Sequence, residues 1–331
     1  MITSRTGTTP GYAPPPAYPD HVQELRTDDL TGTCVIVAPG RATRPHVYST
    51  PDPSSTPTGP PPSCPFCEGH EATTPPEVAR IGGGAADTPG WTVRVVPNLY
   101  PVVGQEPGIP GAHEVIVLSP GHDRQLDALP PDGAAAVFRA VRDRAAHHLD
   151  AGFVHTQALV NHGRAAGASI EHPHAQLVAL AFTPPHVDDL LDRFAAAGRD
   201  LVTDTIESAR AASCVVRDAD AVSWCPLAST AAFMVRIALP APAARFDRST
   251  DDDVRALSEG VTDALARLHK TLGEFAYNVV VNTAPRDDPR PFHYWVDILP
   301  RLGVLAGFEL GTGVLVNPVA PDAAAGMLRD T

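Results

Sequence analysis

Blocks of apolar residues, four to eight long and separated by polar or proline-bearing breaks, recur along this chain and predict strands. His113-Glu114-Val115-Ile116-Val117-Leu118-Ser119-Pro120 reads as a strand running into a turn, and Thr156 to Gly163 (TQALVNHG) as a second. Leu177 to Phe182 (LVALAF) continues His172-Pro173-His174-Ala175-Gln176 as a buried strand. Two stretches switch to helical spacing. Asp132 to Asp150 places Val137, Val141 and Ala145 on one face, and Asp251 to Leu272 does so with Val254, Leu257, Val261, Leu265 and Leu268. These faces are core, and His147, His148 and His269 are expected to be solvated. The later half repeats the order of the first. Phe233 to Pro240 answers the strand at His113, the 251–272 helix answers 132–150, Tyr277 to Pro285 (YNVVVNTAP) answers TQALVNHG, and Phe292 to Pro300 answers the HPHAQ strand. The pattern therefore predicts a duplicated α+β unit.

Composition narrows the class. The chain has 331 residues, enough for one large or two ordinary domains, with 43% hydrophobic residues. No stretch reaches the ~18 uninterrupted apolar residues of a membrane span, so a soluble protein is expected. Residues 1–20, MITSRTGTTPGYAPPPAYPD, lack a secretory layout and are too rich in proline and threonine to pack, which predicts a disordered arm. Five scattered cysteines speak for a reducing cytoplasm rather than a disulfide framework. A net charge of −13 weighs against nucleic-acid binding, so any phosphate must be held by local donors.

The HPHAQ segment adds chemistry to the pattern. Side chains alternate along a strand, so His172, His174 and Gln176 would share a face at roughly 6–7 Å spacing. They could serve a metal, a phosphate or both, or simply be hydrogen-bonded core. Upstream, Asn161 to Ser169 (NHGRAAGAS) is a polar, glycine-bearing loop of the kind that offers N–H groups to an anion. Cys64-Pro65-Phe66-Cys67 follows a proline-rich loop and is a redox pair, half of a zinc site or two unrelated thiols. The loop-like residues after it disfavour a thioredoxin-type helix and favour zinc. The histidines in suitable context are His113, His122, His155, His162, His172 and His174. Of these, His122 and His172 with Cys64 and Cys67 would make a closed, structural Cys2His2 site.

Taken in order, these motifs resemble galactose-1-phosphate uridylyltransferase, a family of the histidine-triad superfamily. The resemblance runs from about residue 25 onward: LTGTCVIVAPGRATRP with Arg41 and Arg44, CPFC at 64–67, VRVVPNLYP with Asn98 and Tyr100, VIVLSPGH ending at His122, VNHGRAAGASIEHPHAQ, and AGFELGTGVLVNP. It implies two tandem histidine-triad-like units, mainly antiparallel sheet with flanking helices. Residues 21–185 would form the catalytic domain with the zinc site, and 186–331 a degenerate domain contributing to the sugar site. It makes Cys64, Cys67, His122 and His172 ligands of one structural Zn2+. His174 becomes the nucleophile toward the α-phosphorus of a nucleotide sugar, with Gln176 and Ser169 donating to phosphoryl oxygens. Asn98, Tyr100, Asn161 and Gly167 would line the nucleotide, Arg41 and Arg44 would face phosphate, and Phe308 and Glu309 the sugar. A homodimer is implied.

The reaction implied by default is uridylyl transfer between UDP-glucose and galactose 1-phosphate, through ping-pong kinetics. Adenylyl transfer or phosphorolysis of ADP-glucose or another nucleotide sugar is the alternative. A neutral amide at Gln176, where histidine-triad hydrolases carry a third histidine, favours transfer over hydrolysis. From another class, a nucleotide-binding protein without turnover would not need His174, Gln176 and Ser169 together. The chain departs from the family in two places. Gly303 and Val304 stand where the enterobacterial-type pattern has a lysine and an aromatic. Asn282, Trp295 and Asp297 stand where some members hold a second metal, so no second metal site is expected.

Overall fold

The computed structural model describes residues 23–43, 64–104 and 108–331. The 1–20 arm and Arg44 lie outside them. The first strands, β1 (Glu24–Thr27) and β2 (Cys34–Val37), form an antiparallel hairpin. The apolar blocks that follow become β3 (Ala79–Gly82), β4 (Trp91–Pro97), β5 (Gly111–Val117), β6 (His155–His162) and β7 (His174–Leu180). In the later half they become β8 (Val215–Arg217), β9 (Val222–Trp224), β10 (Val235–Ala238), β11 (Tyr277–Asn282) and β12 (Trp295–Pro300). Among the described residues these ten make one sheet, in the order β3-β4-β5-β7-β6-β11-β12-β10-β9-β8. Every neighbouring pair is antiparallel. A last strand, β13 (Leu315–Asn317), lies parallel to β2.

Strand order is symmetric about the β6–β11 pair, so the duplication read from the sequence is the symmetry of the sheet. Each unit sends a long helix across between its third and fourth strand: α1 (Pro131–Asp150) in the first, and α4 (Asp251–Leu272) in the second. α4 keeps its predicted bounds because both ends are marked. Thr250 and Asp253 form a reciprocal capping box, and Gly273 takes a positive φ of 74° just beyond the last turn. α1 begins one residue early, where Pro131 occupies the first turn without losing a hydrogen bond. The apolar stripes of both helices bury against one sheet face, with Ala175, Leu177, Val279, Val281, Val296 and Ile298 beneath them.

The opposite face differs between the units. In the second it is covered by α2 (Pro185–Ala197) and α3 (Leu201–Ala211), whose Leu190, Phe194, Val202 and Ile206 pack with Trp224, Phe292 and Trp295. In the first it carries the CPFC loop, where Cys64 and Phe66 pack with Trp91, Val96, Val115 and Val117. Two short helices, α5 (Gly307–Thr312) and α6 (Pro321–Arg329), complete the chain.

Three expectations change. The HPHAQ strand begins at His174 and ends at Leu180, so His172 precedes it and Phe182 is 46% exposed beyond it. His147 is exposed as expected, but His148 is buried, its Nε2 2.9 Å from Glu114 of β5. His269 is only partly exposed, its Nδ1 2.7 Å from an Asp127 carboxylate oxygen. Both ends of these pairs come from elements distant in sequence, which helical spacing alone does not bring together.

Candidate active site

The CPFC loop sits directly over the start of β7. Its two thiols meet His172 and, from the turn after β5, His122. The four ligand atoms all lie within 4.8 Å of one another. His172 Nδ1 is 3.7 Å from both Cys64 Sγ and Cys67 Sγ, and His122 Nδ1 is 3.4 Å from Cys67 Sγ. Metal–sulfur and metal–nitrogen bonds of about 2.3 and 2.0–2.1 Å in a tetrahedron require sulfur–nitrogen edges of about 3.6 Å, so the donor set fits one tetrahedral ion. Burial, reinforced by the neighbouring Cys64, pushes the Cys67 thiol up to about 11, and a cation at the centre is what would offset that cost. Burial pulls His172 down to about 4, leaving it neutral. Its Nε2–H donates to the Ser119 carbonyl at 2.9 Å, which leaves the Nδ1 lone pair turned toward the thiols. The predicted quartet is therefore brought together, and it could hold a metal ion.

His174 opens β7 on the same face. Its Nδ1–H donates to the His172 carbonyl at 2.8 Å, so Nε2 carries the free lone pair. Burial lowers its pKa below the ordinary 6.5, and the backbone acceptor only partly opposes this, so the ring is neutral at pH 7. Phe66 of the CPFC loop packs on both rings, its centroid 5.4 Å from that of His174 and 6.1 Å from that of His172. The cysteine loop thus packs directly against the His174 ring. Gln176, two residues on, is half-buried on the same face, its Oε1 2.8 Å from His113 Nε2. His113, one of the six histidines in suitable context for a metal, lies on β5 among amides rather than thiols.

The 163–169 loop rims this face. Gly163 has a φ of 78° and brings the backbone so close to Ala276 that a Cβ would stand 2.9 Å from that residue's Cβ. Gly167 has a φ of 87°, a left-handed turn that favours glycine. Ser169 is exposed in a cavity of about 730 Å3 that it shares with His122, His162, Arg164 and Glu274. Asn161, at the end of β6, accepts from Asn278 Nδ2 of β11 at 2.8 Å, and the same Asn278 donates to Ala166 at 2.9 Å. Asn278 was not picked out in the sequence; its partner strand β6 belongs to the other unit. Asn98 ends β4's turn, its Oδ1 accepting from the Tyr100 N–H at 2.9 Å, and Tyr100 is 83% exposed.

Other predicted contacts lie apart. Arg41 is exposed on a 3-10 turn, Pro39–Thr43. Glu309 accepts from the Ala306 N–H at 3.0 Å, capping α5, and lines a different cavity with Phe233, Arg301 and Val304. Phe308 is half exposed beside it. Among the described residues no hydrogen bond joins Phe308 or Glu309 to His174, Gln176 or Ser169.

In the second unit Trp295 starts β12 as His174 starts β7. Its ring is stacked by Phe292 and Phe194, and its Nε1–H donates to Asp297 at 2.8 Å. Asp297 also accepts from Asn282 Nδ2 and is paired with the buried Arg236, which reaches Asp28 as well. Asn282, Trp295 and Asp297 are therefore engaged in a packed hydrogen-bonded cluster.

Residues 105–184 match the family described as galactose-1-phosphate uridyl transferase, N-terminal domain. The chain is 32% identical over 336 residues to an ADP-glucose phosphorylase of Arabidopsis thaliana, covering 93% of this chain and 92% of that one. It is 23% identical over 339 residues to a galactose-1-phosphate uridylyltransferase of Thermotoga maritima, covering 94% and 99% respectively. The crystal structure of an ADP-glucose phosphorylase from Arabidopsis thaliana with bound ADP-glucose matches with a TM-score of 0.81 at 30% identity, covering 94% of this chain and 99% of that one. With 32% identity over nearly its whole length to one relative and the same fold as that relative's solved counterpart, the chain belongs to the galactose-1-phosphate uridylyltransferase family of the histidine-triad superfamily.

Proposed function

We propose that this protein is a nucleotidyltransferase acting through a nucleotidyl-His174 intermediate, and that its reaction is phosphorolysis of ADP-glucose. The carrying observation is the fixed tautomer of His174, whose Nδ1–H is spent on the His172 carbonyl while Nε2 has no hydrogen-bond partner among the described residues. In the first half-reaction Nε2 attacks the α-phosphorus, the bridging P–O bond breaks, and glucose 1-phosphate leaves with the electron pair. A sugar phosphate is a good leaving group and needs no proton, so the neutral amide of Gln176 is sufficient to steady the phosphoryl oxygens. In the second, an oxygen of inorganic phosphate attacks the same phosphorus and the N–P bond breaks, releasing ADP. Gln176 cannot deliver a proton or activate water, which protects the intermediate until the acceptor arrives.

Cys64, Cys67, His122 and His172 would hold one Zn2+, which supplies rigidity rather than chemistry because all four positions are protein ligands. Adenine and inorganic phosphate are favoured by the relative that is 32% identical over 93% of the chain. A second reading, uridylyl transfer from UDP-glucose to galactose 1-phosphate, is favoured by the Thermotoga maritima relative. Intact-mass measurement after mixing with ADP-glucose or UDP-glucose distinguishes them. The expected result is an AMP adduct, absent in His174→Gly. A UMP adduct alone would select the second reading, and no adduct with any nucleotide sugar would refute the intermediate.

A further inference from the structure

The Gln176 amide is useful only if its NH2 end, not its carbonyl, faces the phosphoryl group, and a free amide has no reason to prefer that orientation. The surroundings of His113 supply one. The Val102 backbone N–H points at His113 Nδ1 at 3.2 Å. A backbone N–H can only donate, so Nδ1 is the unprotonated nitrogen of a neutral ring. Burial lowers the His113 pKa below the ordinary 6.5, which keeps that ring neutral. Its single proton is then on Nε2, 2.8 Å from Gln176 Oε1. The Asn98 amide nitrogen stands 3.2 Å from the same Nε2, but Asn98 Oδ1 is committed to the Tyr100 N–H, so nitrogen faces nitrogen and no hydrogen bond forms there. Gln176 takes the proton.

We infer that His113 is a positioning residue whose Nε2–H pins the Gln176 carbonyl, turning the amide NH2 toward the reacting phosphorus. The inference rests on the reading of Gln176 given above. The chain of contacts is Val102 N–H to His113 Nδ1, His113 Nε2–H to Gln176 Oε1, and Gln176 Nε2, which has no hydrogen-bond partner among the described residues. Val115 faces Gln176 across the β5–β7 ladder, and His113 lies two residues along on the same face. Both strands that carry the pair are hydrogen-bonded on two sides, β5 between β4 and β7 and β7 between β5 and β6.

His113→Phe keeps the ring and removes both nitrogens. It is expected to lower kcat about fivefold to tenfold, the population equivalent of one net hydrogen bond, with KM nearly unchanged. His113→Gln, which can still donate to Oε1, should recover most of the loss. In a Gln176→Ala background the Phe substitution should have no further effect, because its only route of action is gone. A His113→Phe enzyme with wild-type kcat overturns the inference, as does a loss that persists undiminished in the Gln176→Ala background. The tautomer itself is read in the unsubstituted, metal-loaded protein by nitrogen-15 NMR of its imidazoles. A proton found on His113 Nδ1 overturns the inference whether or not any variant folds. Failure of the unsubstituted protein to form an adduct would instead refute the nucleotidyl-His174 reading and leave the tautomer result standing by itself.

Discussion

Replacing Arg236 with methionine removes the only counterion of two buried carboxylates in the described structure. The guanidinium side chain is 1% exposed, with Nη1 3.1 Å from Asp28 and Nε 2.7 Å from Asp297, whose side chains are 5% and 10% exposed. Breaking a buried pair by deleting one partner costs about 3–5 kcal/mol, because the orphaned charge stays out of water. The lower end applies here, since each carboxylate retains other donors. Asp28 accepts from the N–H groups of Leu30 at 3.0 Å and Thr31 at 2.8 Å, and Asp297 from Trp295 Nε1 at 2.8 Å and Asn282 Nδ2 at 3.1 Å. A loss of about 3 kcal/mol corresponds to a fall of about 1 M in the urea midpoint for an m-value near 3 kcal/mol/M. Urea titration of metal-loaded protein at pH 7.5, followed by fluorescence and circular dichroism, measures it. Adding Asp28→Asn and Asp297→Asn keeps the amide acceptors while deleting the charges, and should restore most of the stability. The adduct-forming rate of His174 should be unchanged throughout. A single variant costing less than about 1 kcal/mol, or a triple variant no more stable than the single, would refute the reasoning.

Cys64→Ser and His122→Ala are expected to lose the bound metal and unfold at lower denaturant, while His174→Ala keeps metal and midpoint and forms no adduct; metal analysis beside urea titration checks all three, and metal loss in His174→Ala would undo the division of roles along this segment. Because burial lowers the His174 pKa, the neutral, attacking form persists as pH falls below 6.5 and is lost only on passing through the lowered value. The rate of adduct formation, which avoids the titration of phosphate, should therefore stay flat from pH 8 to about 6.5; an acid limb centred above 6.5 would contradict it. Gln176→His places a proton donor beside the intermediate, so free nucleoside monophosphate should rise at the expense of transfer, measured by product chromatography with and without phosphate; an unchanged product ratio would count against the protective role of the amide.

The parts of this architecture that were legible in the sequence are those specified locally. The 251–272 helix has its cap, its apolar stripe and its terminal glycine within one continuous segment, and its bounds match. The cysteine–histidine quartet was legible because a CxxC pair in a loop has few chemical uses and its histidine partners flank strands, His122 in the turn after β5 and His172 just before β7. His113 shows the opposite case. Its type and place on a strand were visible, but its partner depends on the β5–β7 register, which one strand's sequence does not contain. His148 was assigned to solvent because its helix position is read relative to α1's stripe, whereas Glu114 reaches it from β5. α2 and α3 were not anticipated, because no helix among the first unit's described residues corresponds to them.

That asymmetry bears on why the proposed chemistry falls to one unit of the duplication. β7 and β12 occupy the same place in their units, and each begins with an aromatic nitrogen ring on the face away from the long helix. The rings differ in chemistry, since the Trp295 indole nitrogen has no free lone pair with which to attack phosphorus, and they differ in covering as well. Over β7 lies a short cysteine-bearing loop whose Phe66 packs on the His174 ring, while Nε2 has no hydrogen-bond partner among the described residues. Over β12 lie two helices, whose Phe194 with Phe292 stacks on Trp295 and completes a core. A polar Asp297 tolerated there must then be neutralised, and Arg236 does so from β10 while drawing in Asp28 from the turn between β1 and β2. The second unit's counterpart of the His174 strand thus anchors the hairpin that precedes the first unit. In exchange β11 lends Asn278 to Asn161 across the central strand pair. The two units are therefore interdependent in opposite senses, one receiving packing and the other orientation.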